Sequence, residues 1–95
     1  MLTINKNILA KDFKGEINVD GINMYNPDTL QFSLYKLISA DEEIYDELNI
    51  NKNSLLVFPF QCGIKFASGY HILNIRDCLG VTTLEELSKA WKGEL

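Results

Sequence analysis

The sequence contains few of the residues from which catalytic and metal sites are built. It has one histidine, His71, and two cysteines, Cys62 and Cys78, which are not spaced as Cys-x-x-Cys. A zinc site of two Cys and two His, or a catalytic site with three His ligands, is therefore excluded within one chain. We expect no metal and no other cofactor, and we predict that both thiols are buried as small apolar side chains.

Phosphate-binding glycine loops and long apolar runs are also missing. No Gly-x-Gly occurs, and no Lys-Ser or Lys-Thr follows Gly69, so nucleotide hydrolysis and dinucleotide binding are unsupported. The longest unbroken apolar run, residues 55–60, is too short to cross a bilayer. The first residues lack the apolar core of a secretion signal. These absences predict a small soluble protein of the cytoplasm.

Positive charge is scarce and unevenly distributed. The chain has 9 Lys and Arg against 13 Asp and Glu, a net charge of −4. Residues 1–48 hold four Lys and nine acids, a net of −5, whereas residues 49–95 hold five basic residues and four acids, a net of +1. A nucleic-acid-binding protein needs a basic stripe, and the densest basic group, Lys6, Lys11 and Lys14, is typical of a solvated edge. Direct binding to nucleic acid or to an anionic membrane is therefore not expected.

The remaining composition is that of a globular chain. Hydrophobic residues make up 46% and charged residues 23% of the sequence, which argues against disorder. No internal repeat, low-complexity tract or Gly/Ser linker divides it. A chain of 95 residues favours one core, so we predict a single compact domain over residues 1–95.

Turn residues place a β region in the first quarter of the chain. Weak alternation through Leu2, Ile4 and Ile8 predicts a short first strand. Asp20-Gly21 is typical of a tight hairpin turn, because both central residues of such a turn need positive φ. The alternative is a hairpin that turns at Lys14-Gly15 and has a bulge at Gly21.

Two consecutive helices are predicted next. Asn26 suits an N-cap and Pro27 the first helical position. The apolar residues that follow have helical spacing: Leu30, Leu34, Leu37 and Ile38. A strand through Phe32 is the alternative, and the cap favours the helix. Ser39 and Glu42 match a capping box, so a second helix is predicted from Ser39 to Leu48.

The second half predicts strands followed by a final helix. Residues 54–60 are rich in branched and aromatic side chains and predict a buried strand, with Pro59 at an end, bulge or edge. Residues 64–75 predict further strand structure, as one strand or two. Thr82 or Thr83 suits the N-cap of a helix that stops at Gly93. The order ββ-αα-ββ(β)-α predicts an α+β fold, an antiparallel sheet of about four to five strands with helices packed on one face.

The most unusual stretch is residues 39–49, SADEEIYDELN, which holds five carboxylates within seven residues. On a helix, Ala40, Ile44 and Leu48 form an apolar seam and the acids point away from it. No Lys or Arg occurs between Lys36 and Lys52, so like-charge pairs four residues apart are unrelieved. The stretch is therefore a solvated face, a docking surface for a basic partner, or, least supported without a calcium loop, a divalent-metal site.

These observations predict a non-catalytic protein-protein interaction module, such as an inhibitor, adaptor or immunity-type protein. Its partner is expected to be a protein with a basic surface, bound through Asp41, Glu42, Glu43, Tyr45, Asp46 and Glu47. One alternative is a small-molecule-binding protein or small enzyme with a pocket between Phe58 and His71, lined by Cys62, Tyr70 and His71. Another is a structural subunit of a homo-oligomer that buries the apolar residues 55–60.

Overall fold

The computed structural model describes residues 3–15, 17–23, 25 and 31–94. The elements are β1 (Asn7–Asp12), β2 (Asn18–Val19), β3 (Ile22–Asn23), β4 (Phe32–Ser39), α1 (Glu42–Leu48), β5 (Leu55–Pro59), β6 (Ile64–Ala67), β7 (Tyr70–Asn74), a 3₁₀ turn (Ile75–Asp77), β8 (Gly80–Thr82) and α2 (Leu84–Lys92). The fold is α+β, as predicted. No helix among the described residues is long and apolar enough to cross a membrane.

Among the described residues, the main sheet has six strands in the order β6-β7-β1-β4-β5-β8, all paired antiparallel. A separate hairpin is formed by β2 and β3. The predicted count of four to five strands was too low because β4 was predicted as a helix and β8 was not predicted as a strand. Residues 64–75, predicted as one strand or two, contain two strands around a turn at Gly69, where φ is +77°. β8 pairs with β5.

The predicted helix over the apolar stripe from Leu34 to Ile38 was wrong, because this segment forms β4. Asn26, Pro27 and Leu30 lie outside the described residues. β4 is a central strand between β1 and β5, and its neighbouring residues Leu34 and Tyr35 are both buried. A strand buried on both faces has no alternation of apolar and polar residues, so its apolar spacing can imitate a helix.

The predicted helix start at Ser39 was also wrong. Ser39 is the last residue of β4 and pairs with Leu9 of β1. The N-cap of α1 is Asp41, whose side chain makes no capping hydrogen bond. The predicted end is confirmed, since α1 stops at Leu48 and Asn49 adopts a left-handed φ of 51°.

The turn at Asp20-Gly21 and the last helix agree with the predictions. Asp20 and Gly21 have φ values of +53° and +81°, as a tight hairpin between β2 and β3 requires. In α2 the hydroxyl of Thr83 accepts a hydrogen bond of 3.2 Å from the Glu86 amide, and Gly93 ends the helix with a φ of +76°. These signals lie close in sequence and need no tertiary partner. The first strand, by contrast, begins later than predicted, at Asn7.

Both faces of the main sheet are covered, which corrects the prediction of helices on one face. One face carries the core cluster, which consists of Ile8, Ala10, Tyr35, Ile44, Leu56, Phe58 and Leu73, and α1 packs there through Ile44. Successive strand residues point to opposite faces, so the buried Leu34 and Leu55 lie on the other side of the sheet. α2 begins beside Leu55 and contacts β2. The apolar strand β5 is thus mostly buried within its own chain, whereas Phe60, which follows it, is 52% exposed.

Candidate functional site

The acidic stretch forms a helix that is anchored by one fully buried side chain. Ile44 is 1% exposed and belongs to the core cluster, while Ala40 and Leu48 are half-buried against that cluster. The apolar seam predicted at i, i+4 and i+8 is therefore confirmed. Because the seam holds one side of α1 on the sheet, the intervening polar residues are directed to solvent.

The partner-binding residues predicted from the sequence lie together on the exposed side of α1 and at its N-cap. We call this set the acidic surface: Asp41, Glu42, Glu43, Tyr45, Asp46 and Glu47. Tyr45 is 37% exposed among the five carboxylates. Within the described part of the chain, Glu85 pairs with Lys89 and Asp12 contacts His71, whose ring is charged only when protonated, so no carboxylate of the acidic surface forms an ion pair there.

A polar cavity of about 620 Å³ borders the N-terminal half of the acidic surface. Lys6 and Arg76 line it together with Asp41 and Glu43, although none of these four forms an ion pair. The Asn74 side chain orders its rim, since its amide nitrogen donates to the Asn5 carbonyl at 3.2 Å and its oxygen accepts from the Arg76 amide at 3.0 Å. Positive charge therefore faces one edge of the acidic surface and leaves the other edge open.

The described part of the chain contains no cluster of potential metal ligands. No three of its His, Cys, Asp and Glu side chains lie close enough together to hold a metal ion. The acids of α1 point outward from a helix and do not converge on one point.

The second predicted site, lined by Cys62, Tyr70 and His71, is divided by the sheet. Tyr70 and His71 are successive residues of β7, so their side chains point to opposite faces. His71 Nε2 lies 2.9 Å from Asp12 Oδ1, and its ring stacks edge-on against Tyr35 at 5.3 Å. Tyr70 lies on the other face beneath the Lys11 ammonium, 5.6 Å away. The two cavities described in this section are lined by other residues.

Both cysteines are free, half-buried and packed against the core cluster. Burial raises the pKa of the Cys62 thiol, and the neighbouring Asp77 carboxylate raises that pKa further. Burial also raises the pKa of Cys78, whose Sγ donates a hydrogen bond of 3.3 Å to the Gly80 carbonyl. A raised pKa disfavours the thiolate, which is the reactive form of cysteine, so neither environment activates a nucleophile.

The structure also assembles a basic groove that the sequence did not reveal. We call it the lysine groove, a cavity of about 660 Å³ whose lining includes Lys11, Lys14, Lys36, Lys52, Phe13, Leu55 and Leu84. The lysines come from β1, the segment after it, β4 and the loop before β5. Only Lys11 and Lys14 are close in sequence. The pairing of Lys11 with Lys36 across neighbouring strands could have indicated the groove, but the predicted helix over Leu34 to Ile38 gave Lys36 no strand partner.

Comparison with models of protein families, with curated protein sequences and with solved structures found no match to this chain. The candidate sites therefore rest on the geometry of the chain itself. Two regions stand out by charge and exposure: the acidic surface on α1 and the lysine groove near the start of α2.

Proposed function

We propose that the protein is a non-catalytic interaction module that binds a basic surface of another protein through the acidic surface on α1. One observation carries the proposal: five exposed carboxylates share a single helical surface and have no counter-ion among the described residues. Glu42 and Asp46 are four residues apart, as are Glu43 and Glu47, so each pair repels. A partner's Lys or Arg side chains would convert this repulsion into attraction and speed association.

The geometry of α1 suits recognition because the surface is already ordered. Ile44 anchors the helix to the core, so the acids are presented on a fixed backbone before any partner arrives. Less conformational entropy is then lost on binding than with a flexible acidic tail. Tyr45 adds an aromatic ring to the surface, and tyrosine is among the residues that dominate binding energy at protein interfaces.

The chemistry of the surface also supports a class of partner. Proteins that bind nucleic acids or other polyanions expose clusters of Lys and Arg, and a rigid array of carboxylates complements such a cluster. An inhibitor, adaptor or immunity-type role follows if the module occupies that cluster in place of its usual ligand. The proposal requires no catalytic residue of this chain.

A charge-reversal pair tests the proposal. Glu43→Lys with Glu47→Lys changes the net charge by four, and we expect it to abolish capture of the partner that the unaltered protein retains. Glu86→Lys with Glu94→Lys makes the same change of net charge on α2 and beyond it, and should retain capture. Zero-length carboxylate–amine cross-linking, read by mass spectrometry, should join partner lysines to residues 41–47. Equal capture by both variants would refute the proposal.

A specific observation favours a second candidate, a subunit of a homo-oligomer. Within the described sheet β6 is an edge strand, and all four of its residues are exposed. Ile64 is 69% exposed and Phe66, at a bulge in the pairing with β7, is 54% exposed. An apolar edge strand invites pairing with another chain. If copies pair through this edge, light scattering should report a mass that is a multiple of 10.8 kDa. The double variant Ile64→Lys with Phe66→Lys should then have the mass of the monomer.

A further inference from the structure

The lysine groove contains a charge arrangement that costs stability. Lys11 on β1 pairs directly with Lys36 on β4, and both are exposed. Like charges directly opposite each other on neighbouring strands are destabilising. Lys14 and Lys52 line the same cavity, so four of the nine basic residues of an acidic protein gather at one place.

Two carboxylates, Asp12 and Glu85, also line the groove, so four positive charges meet two negative ones. Asp12 lies 2.9 Å from His71 Nε2, and Glu85 lies 3.4 Å from the Lys89 ammonium. None of the four lysines forms an ion pair with another described residue. The groove is therefore a concentration of positive charge within a chain of net charge −4.

The groove also offers an apolar surface and the positive end of a helix. Leu55 is buried in the sheet beneath it, and Leu84, the first residue of α2, is 41% exposed beside it. The start of α2 carries partial positive charge, although the Thr83 hydroxyl already accepts from the Glu86 amide. The volume of about 660 Å³ lies within the range of roughly 300–1,000 Å³ typical of small-molecule sites.

We propose that the lysine groove binds a small organic anion. An apolar body of ring size rests on Leu55, Leu84 and Phe13, while a phosphate, sulfonate or carboxylate group lies between Lys11 and Lys36 and relieves their repulsion. The mixed lining favours this ligand over a nucleic-acid strand, which needs a basic stripe that continues along its backbone. The site lies on the face of the sheet opposite α1, so the proposal is independent of the acidic surface.

Naphthyl phosphate is a suitable probe because it joins one aromatic body to one phosphate. We expect saturable binding by calorimetry with a Kd below about 1 mM, and affinity that falls as salt concentration rises. Naphthalenemethanol, which lacks the charge, and inorganic phosphate, which lacks the ring, should each bind more weakly. In NMR titrations the methyl signals of Leu55 and Leu84 should move.

A matched pair of variants locates the site. Lys36→Gln with Lys52→Gln should weaken naphthyl phosphate binding by at least about tenfold, because charge-assisted contacts are lost. Lys65→Gln with Lys92→Gln removes the same charge from exposed lysines outside the groove and should bind normally. Spectra of both variants report whether the fold is intact.

Several results would overturn the proposal. They are no saturable binding, an equal loss in both double variants, or methyl shifts confined to residues outside the groove. A single-stranded oligonucleotide that binds the four lysines more tightly than naphthyl phosphate would also overturn it and identify a nucleic-acid surface instead.

Discussion

The acidic surface and the lysine groove are opposite in charge and differ in how the chain builds them. The carboxylates are contiguous in sequence and share one short helix, whereas the lysines come from separate segments that strand pairing brings together. They also lie on opposite sides of the main sheet, since α1 covers the core cluster and the groove lies beside Leu55. A net charge of −4 therefore conceals two local concentrations of charge.

In both regions like charges lie close together and form no ion pair with another described residue. In α1 the pairs are four residues apart on one helix, and in the groove Lys11 faces Lys36 across two strands. Each arrangement lowers the free energy of unfolding by a few tenths of a kcal/mol to about 1 kcal/mol. The comparison predicts that substitutions which remove the repulsion stabilise the fold while they remove binding.

The largest expected effect comes from the anchor of the acidic surface. Ile44→Ala removes a fully buried side chain, and we expect the free energy of unfolding to fall by about 2–4 kcal/mol. Urea denaturation measures the loss. Ile38→Ala, at an exposed position of β4, is the matched control and should cost less than about 1 kcal/mol. Equal losses in the two variants would contradict the anchoring role of Ile44.

Alkaline pH should destabilise the core between the two regions. Burial raises the pKa of Tyr35 above 10.0 and that of Cys78 above 9.0. The unfolded chain therefore loses these protons at a lower pH than the folded chain. The stability that these protonated groups contribute is fully present below pH 9.0 and is lost as the pH rises through their folded-state pKa values.

Tyr35→Phe removes one of these groups and keeps the ring in the core. Denaturant titrations at neutral and alkaline pH should show a shallower alkaline decline in this variant than in the unaltered protein. Tyr45→Phe, on the exposed acidic surface, is the control for loss of a phenol. If the unfolding free energy of Tyr35→Phe declined at alkaline pH as steeply as that of the unaltered protein, this would argue against a raised pKa at Tyr35.

A smaller gain in stability is expected from Glu47→Lys. The change replaces repulsion of Glu43 with attraction and places a cation in the last turn of α1, which now has no basic residue. We expect a gain of about 0.5–1 kcal/mol in the free energy of unfolding. Thermal unfolding at low and high salt measures it, and the gain should shrink as salt screens the charges. Destabilisation at low salt would contradict this account.

The smallest effect is expected from Lys36→Glu, which converts the Lys11–Lys36 pair into an opposite-charge pair. A gain of about 0.2–0.5 kcal/mol in unfolding free energy is expected, together with loss of naphthyl phosphate binding. Lys65→Glu, on the edge strand β6, is a control of equal charge change and should retain binding. Stabilisation without loss of binding would show that naphthyl phosphate does not bind between Lys11 and Lys36.

Local signals predicted their elements well. Thr83 and Gly93 mark the two ends of the last helix, and Asp20-Gly21 forms the turn of the β2–β3 hairpin. Ile44 lies in the apolar seam of α1, as its spacing indicated. Capping, turn geometry and helical periodicity act within a few residues, so a single sequence reveals them. The same locality explains why the acidic surface was visible from sequence alone.

Local signals failed where strand partners far along the chain decide the structure. β4 has the apolar spacing of a helix, and only its position between β1 and β5 makes it a strand. Ser39 matched a capping box but pairs with Leu9 instead. The short strand β8 forms because β5 offers it an edge. In each case tertiary context outweighed a local preference, which is common for strands in the centre of a sheet.

Residue patterns along the chain were enough to predict the α+β class, the caps of the last helix and an acidic face with no cation nearby in the chain. The identity of β4, the covering of both faces of the sheet and the meeting of four lysines in one groove became visible only in the folded protein. The two sets differ in how far apart along the chain the interacting residues lie. A helix displays neighbouring residues on one surface, whereas strand pairing joins residues that are far apart along the chain.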